Sequence, residues 1–372
     1  MKLPGNIDRR EFLKMAGMAG IALVGAACAP AAAPTPTPTK APAAASPKPA
    51  AVASPAGVKP EEVRAQLYEA AKKEGQLLVY TTGTSKEVDD YRKVFSKTYP
   101  GVEVKDYAGT GEQIIEKMLT EFKAGRVNAD FVLIPFEQWV VMLKEGLAEK
   151  WDSPEKASFP AEAVDPNGLW VVDQAVVHVI SYNTQLVPAA AAPKNYQDLL
   201  NPVFKGKLGL EKEAYSWFTQ RTKVWGKDKA IDYAKKLAAQ QPTFIKGHTT
   251  LADAVVSGEV WAAVNVYLHR VEQQKEKGAP VKWAADEPTG VELNAIGLPK
   301  GAPHPNAGKL FLDWRLSAEG QEVTFKVQSR YPMRKGMAIP PELQVKLALP
   351  TLQTAAEIPE NAKTFREIFG LI

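Results

Sequence analysis

Residues 170–187 read WVVDQAVVHVISYNTQLV, and residues 196–211 read YQDLLNPVFKGKLGLE. The run from Val171 to Ser181 is dense in Val and Ile with few breakers, which favours an extended strand. Tyr182-Asn183-Thr184 ends it, and a Pro/Ala loop leads to a short helix expected over Tyr196–Leu200. Pro202 and Gly206 stop that helix, and a second short strand begins at Lys207. Strands alternate with helices both before and after this stretch. A long strand between two such sets reads as a crossing from one α/β lobe into another, with a ligand cleft between them. The other reading is an ordinary core strand within one larger domain.

Residues 1–28 are addressing sequence. Arg9 and Arg10 precede an apolar run from Met15 to Ala27. That run falls short of the ~20 residues that span a bilayer but suits an export segment. Paired arginines point to the twin-arginine route. Cys28, the only cysteine, follows Gly25-Ala26-Ala27, an arrangement that resembles a lipoprotein signal in which the cysteine becomes the lipidated N-terminus. The alternative is an uncleaved anchor with an incidental thiol. Residues 29–56 are almost wholly Ala, Pro, Thr and Ser, with Val52 as the one bulky apolar residue. Such a chain cannot offset its ordering entropy by burial, so a disordered tether is expected, reaching roughly 80 Å as polyproline II.

The body, residues 57–372, is long enough for two domains. Of 46 basic residues six lie in the first 56 positions, and of 42 acidic residues two, leaving 40 of each in the body. A neutral body argues against a nucleic-acid binder. It holds no cysteine, which removes disulfides and thiolate metal sites.

Three strand-to-helix corners carry threonine. Strand Gln76–Thr82 leads to Thr84-x-x-Glu87, strand Val102–Tyr107 to Thr110-x-x-Gln113, and strand Thr243–Lys246 to Thr250-x-x-Asp253. Each has capping-box spacing ahead of an apolar helical face, formed in the second by Ile114, Ile115, Met118, Leu119 and Phe122. Ligands of parallel α/β sheets bind beyond the carboxyl ends of strands, at helix N-termini. Thr82, Thr84, Ser85, Thr110, Glu112, Gln113, Thr249 and Thr250 are therefore candidate ligand-binding residues, although each box serves equally as a plain cap. The four histidines, His178, His248, His269 and His304, show no metal-ligand spacing, and no nucleophile elbow, HExxH or Walker loop is present. A secreted hydrolase using Glu112 as base is the competing class.

With these corners quoted, the chain resembles the solute-binding proteins of ABC transporters, of the ferric-iron-binding family and its relatives. VYTTGTSKEV (residues 79–88), GTGEQ (109–113), SGEVWAAVNVYLHRV (257–271) and RYPMRKG (330–336) carry the likeness. The resemblance implies a two-lobed, hinge-closing receptor, monomeric and extracytoplasmic, that hands a solute to a membrane permease. It implies no cofactor, and ferric iron as one possible cargo. Ferric members place a histidine before Lys-Glu in the first loop, where Ser85 stands here. Their Glu-Gln pair is Glu112-Gln113, and their paired tyrosines after an asparagine become Tyr267-Leu268 after Asn265. Glu112 and Tyr267 are thus the two remaining metal ligands if the cargo is iron, which prefers oxygen donors. Where the family holds an anion, this chain has Glu211, then Tyr215 and Trp217. These suit a small polar organic solute, with Glu211 for an amine and Trp217 as a wall. The expected lobes are 60–175 with 288–335 and 176–287 with 336–372, hinged at Val176–Ser181 and Val291–Leu298.

Overall fold

The computed structural model describes residues 58–371. Arg9, Arg10, Cys28 and all the tether expectations lie outside these residues. Among the described residues no helix is long and apolar enough to cross a membrane.

In chain order the first elements are α1 (Pro60–Glu74), β1 (Gln76–Thr81), α2 (Ser85–Thr98), β2 (Glu103–Ala108), α3 (Gly111–Lys123), β3 (Phe131–Pro135), α4 (Phe136–Lys144) and β4 (Ala148–Glu149). The long strand β5 (Val171–Asn183) follows. Next come β6 (Leu208–Glu211), α5 (Tyr215–Trp225), α6 (Lys227–Ala239), β7 (Thr243–Ile245), α7 (His248–Ser257), β8 (Ala262–Tyr267), α8 (Leu268–Glu276) and β9 (Val281–Ala284). A second long strand, β10 (Thr289–Pro299), precedes α9 (Pro305–Leu316), α10 (Ala318–Glu322) and a π-helical turn, Val323–Val327. β11 (Tyr331–Pro332), β12 (Leu347–Ala348), α11 (Leu352–Ala356) and α12 (Ile358–Phe369) complete the chain. Tyr196–Leu200 is a 3-10 turn.

The main sheet runs β2-β1-β3-β10-β5-β8-β6-β7. β2, β1 and β3 are mutually parallel, as are β8, β6 and β7. Between these two parallel wings β10 and β5 pair antiparallel, from Val291 opposite Val177 to Ile296 opposite Val171. β5 thus meets β10 with its first half and β8 and β9 with its second. It is buried at every position but Tyr182, as a strand covered on both faces should be.

Local sequence explains the helix starts. The boxes at Thr84 and Thr110 form as reciprocal caps, with Glu87 and Gln113 reaching back to the threonine N–H groups. Val88, Tyr91 and Phe95 of α2 are buried, with Phe95 5.0 Å from the Phe311 ring and 5.3 Å from Trp314. Each such side chain stabilises by about 1.5–3 kcal/mol. On α3 the buried face is Ile114, Ile115 and Met118, but Phe122, which the sequence places on that face, is 37% exposed. The third box does not form. Gly247, at φ 92°, turns the chain early, so α7 starts at His248 and Thr250 lies inside its first turn, not at its cap.

α12 packs on α5, with Phe365 5.5 Å from Tyr215 and 5.9 Å from Phe218. Gly297, near the end of β10, lies under the Trp139 ring, and a Cβ there would stand 2.6 Å from the Leu169 carbonyl oxygen. Gly297→Ala is therefore expected to lose about 1–3 kcal/mol to overpacking, read as a lowered urea midpoint at unchanged slope.

Candidate functional site

Opposed residues of an antiparallel pair share a face, and alternate residues return to it. Glu292 opposes Val176, and His178 opposes Tyr267. Glu292, His178 and Tyr267 therefore project from one face of the β10–β5–β8 strip. His248 joins them from the start of α7 and His269 from the start of α8.

These groups form a stacked row. His178 lies 5.1 Å from His248 and 5.6 Å from Tyr267, and Tyr267 lies 4.2 Å from His248 and 5.4 Å from His269, ring centre to ring centre. Glu292 accepts the Tyr267 hydroxyl on Oε2 at 2.9 Å. Its Oε1 is 3.2 Å from His178 Nε2 and 3.6 Å from His248 Nε2. Glu292 keeps 30% of its side-chain surface open, against 1% for His178. At the far end of the row, Arg330 lies 3.1 Å from His269 Nε2 and donates to Glu87 Oε1 at 2.8 Å. Glu87 uses its other oxygen to cap α2. Residues of α2, the β5–β10 pair, α7, β8 and α8 thus converge on one polar strip. On the reverse face of β5, Ala175 and Val177 border a cavity of about 210 Å³ with Phe325 and Tyr331, and His269 also lines it.

Burial pushes the Glu292 carboxyl upward, but the hydrogen bonds from His178 and His248 outweigh it and hold the group well below the ordinary glutamate value. Burial lowers His248 too, yet the Glu292 contact leaves it raised. His178 is lowered, because its burial exceeds what Glu292 returns. Burial raises Tyr267, and the Glu292 charge raises it further. Burial with Arg330 and Arg270 takes His269 down to about 3. Glu137, in the first turn of α4, is raised to about 7 by burial, with the Glu292 charge adding to it.

Of the residues expected from sequence, Tyr267 stands in this row. Asn265 is buried beside it, and its carbonyl takes His248 Nδ1 at 2.7 Å. Glu211 is not the open amine acceptor expected. It is 5% exposed, and its carboxylate accepts the Gly247 and Glu213 N–H groups, which staple two loops. Trp217 is no cleft wall: it is 1% exposed, in the core 5.6 Å from Tyr196 and 6.5 Å from Tyr233. Tyr215 faces Phe365 on the C-terminal helix. Ser85 bonds Asp106, Thr82 is half-buried after β1, and Thr84, Thr110 and Gln113 complete caps. Glu112, Thr249 and Thr250 are exposed, and Tyr267 pairs with Glu292 in place of the expected Glu112. Sequence reading missed His178, His248, Glu292, Glu87, His269 and Arg330. Two signals were available: a histidine and a glutamate inside otherwise apolar strand runs.

A base whose folded value is depressed costs stability once the unfolded chain begins to bind the proton. His269, at about 3 against 6.5, therefore subtracts nothing above pH 6.5 and an increasing amount as pH falls below it. His269→Asn should show a shallower loss of melting temperature between pH 6.5 and 4 than the parent chain. Parallel profiles would remove this assignment.

The family described as bacterial extracellular solute-binding protein matches residues 90–351. Over 266 residues the chain is 24% identical to a periplasmic protein of Salmonella typhimurium named for 2-aminoethylphosphonate binding, covering 68% of this chain and 76% of that one. An uncharacterized protein of Haemophilus influenzae is 33% identical over 140 residues, which is 36% of this chain and only 40% of the relative's length. Iron-bound HitA from Pseudomonas aeruginosa superposes with a TM-score of 0.68 at 23% identity, over 79% of this chain and 99% of HitA. AfuA from Actinobacillus pleuropneumoniae, with fructose-6-phosphate bound, gives 0.66 at 23% identity, over 80% and 100%. At these identities the structures establish the fold, that of two-lobed periplasmic binding proteins. The extent of the family match, with the two parallel wings joined through β5 and β10, makes this chain a member of the bacterial extracellular solute-binding protein family.

Proposed function

We propose that the chain is the receptor of an ABC importer, and that it takes a small polar organic solute against the Glu292 strip and delivers it to a membrane permease. The observation that carries this is one polar face fed from both parallel wings, with a part-open anionic Glu292 at its centre. β5 and β10 are the natural hinge, since β10 pairs with β3 of one wing, β5 with β8 of the other, and the two with each other, and the lobes would close about them.

An oxyanion on the solute fits the surroundings. α4, α5, α7 and α8 all begin without a side-chain cap, which leaves first-turn N–H groups and positive helix ends at the ends of β3, β6, β7 and β8. Arg330 adds a guanidinium. Phosphonate and phosphate ligands in the names of similar proteins support the same class. An amine, if present, belongs at Glu292 and not at Glu211. A ferric cargo draws support from the Tyr267–Glu292 contact, but the histidine nitrogens around it suit a hard ion poorly. A hydrolase using Glu112 draws none, the side chain being exposed at the first turn of α3.

Titration with 2-aminoethylphosphonate, fructose-6-phosphate and ferric citrate tests the assignment. An organic oxyanion should raise the melting temperature, by about 2.7 kcal/mol of added stability at a hundredfold excess over Kd. Arg330→Ala should weaken that binding at least about tenfold, the loss of a charge-assisted contact. A coloured, Tyr267-dependent one-to-one ferric complex, with no response to the organic solutes, would overturn the organic reading. We assign Cys28 as the lipid attachment point and residues 29–56 as the stalk. Cys28→Ala should accordingly move the protein from the membrane fraction to the soluble one.

A further inference from the structure

We propose that His178, His248 and Glu292 form a binding site for a divalent transition-metal ion of the zinc type. Their donor atoms lie within 4.8 Å of one another. Bonds of about 2.0–2.2 Å in a tetrahedral shell put neighbouring donors ~3.4 Å apart, and the two nitrogen-to-oxygen separations at Glu292, 3.2 and 3.6 Å, bracket that value.

The hydrogen bonding around His248 strengthens the assignment. Its Nδ1 faces the Asn265 carbonyl at 2.7 Å, and a carbonyl only accepts, so the proton resides on Nδ1. Nε2 of the neutral ring then presents a lone pair toward Glu292 Oε1. Either a second proton on the ring or a metal ion can stand between the two atoms, and the metal ion engages both lone pairs at once. A histidine with its second nitrogen tied to a carbonyl is the usual outer-shell arrangement of a metal ligand. Tyr267 plays the same part for the carboxylate: its hydroxyl holds Oε2 and leaves Oε1 for the ion. His178 is the weaker ligand, because its Nδ1 is buried without a protein partner and would carry an unpaired N–H when Nε2 binds metal. Two imidazoles and one carboxylate select zinc-like ions over calcium, magnesium or ferric iron. With three protein donors and Glu292 part open, a coordination position remains for water or a solute oxygen.

The site deepens the receptor reading, since it lies on the strip assigned to the solute, but it is tested independently. The full chain, purified without a polyhistidine tag and stripped with chelator, is titrated with Zn²⁺ and with Co²⁺ as optical reporter. One equivalent should bind, calcium and magnesium should not compete, and His248→Ala and Glu292→Gln should each weaken binding at least about tenfold. Tyr267→Phe should weaken it about tenfold, the usual scale for an outer-shell group. Should the variants misfold, zinc-edge absorption on the parent chain serves instead: two imidazole nitrogens per ion are expected, and an all-oxygen or sulfur-dominated shell overturns the site. Affinity unchanged in both ligand variants also overturns it. If solute binding persists in chelator and fails in Glu292→Gln while zinc does not bind, the metal site falls and the receptor reading stands. If zinc binds as described and no small solute does, the metal site stands alone.

Discussion

The antiparallel pairing of β5 with β10 is the constraint on which the rest of the structure depends. Each wing is a parallel sheet, and the two wings connect only through this pair. Its register sets which side chains meet: slip it by one residue and Glu292 moves to the opposite face from His178. Three features hold that register. The buried Asp173 of β5 pairs with the buried Arg315 of α9, and removing either partner alone would leave an uncompensated charge. Gln220 of α5 both donates to the Val291 carbonyl at 2.6 Å and accepts its N–H at 2.7 Å, as a neighbouring strand would. Irregularities at Asn294/Ala295 and between Val179 and Ser181 re-aim the strands where the pairing changes partner.

The fold was legible in the sequence because its signals are local. Val-rich runs, threonine caps and glycine stops placed β1 to α4, β6, β7 and α7 to within two or three residues, and they marked β5 as the link between two α/β sets. Thr250 shows the limit. Its box spacing is correct, yet Gly247 at positive φ starts the helix three residues sooner, and no spacing rule reports which of two competing starts wins. Trp217 and Glu211 fail for a different reason. An aromatic near a strand end is equally suited to a core or a wall, and a carboxylate after a strand equally suited to a ligand or a backbone staple. Here Tyr196 and Tyr233 take the first, and the Gly247 and Glu213 N–H groups take the second.

The site itself was not legible because it is assembled across the chain. His178 and Glu292 are 114 residues apart in sequence, and His248 reaches them from a third element. The scattered histidines lacked metal-ligand spacing in one dimension, while strand register and the early start of α7 supply it in three. Arg330 was legible only as part of a late return segment. Its partner Glu87 reads in sequence as a capping residue, which it also is: one oxygen closes the cap and the other holds the guanidinium. A residue explained by a local role can still carry a distant one.

The polar strip also weakens the part of the molecule it occupies. A central strand pair would be most stable with apolar side chains on both faces, yet β5 and β10 carry His178 and Glu292 there. His178 Nδ1 and the Asn265 side-chain nitrogen are buried without protein partners, and each such group costs about 1–3 kcal/mol. His269 is held neutral against its ordinary tendency to protonate. Several of these terms fall on the strands that join the wings, so a ligand that completes the hydrogen bonding or coordination of the strip would stabilise that strand pair directly. A bound ion would tie Glu292 of β10 to His178 of β5, so binding would also brace the pair that connects the wings.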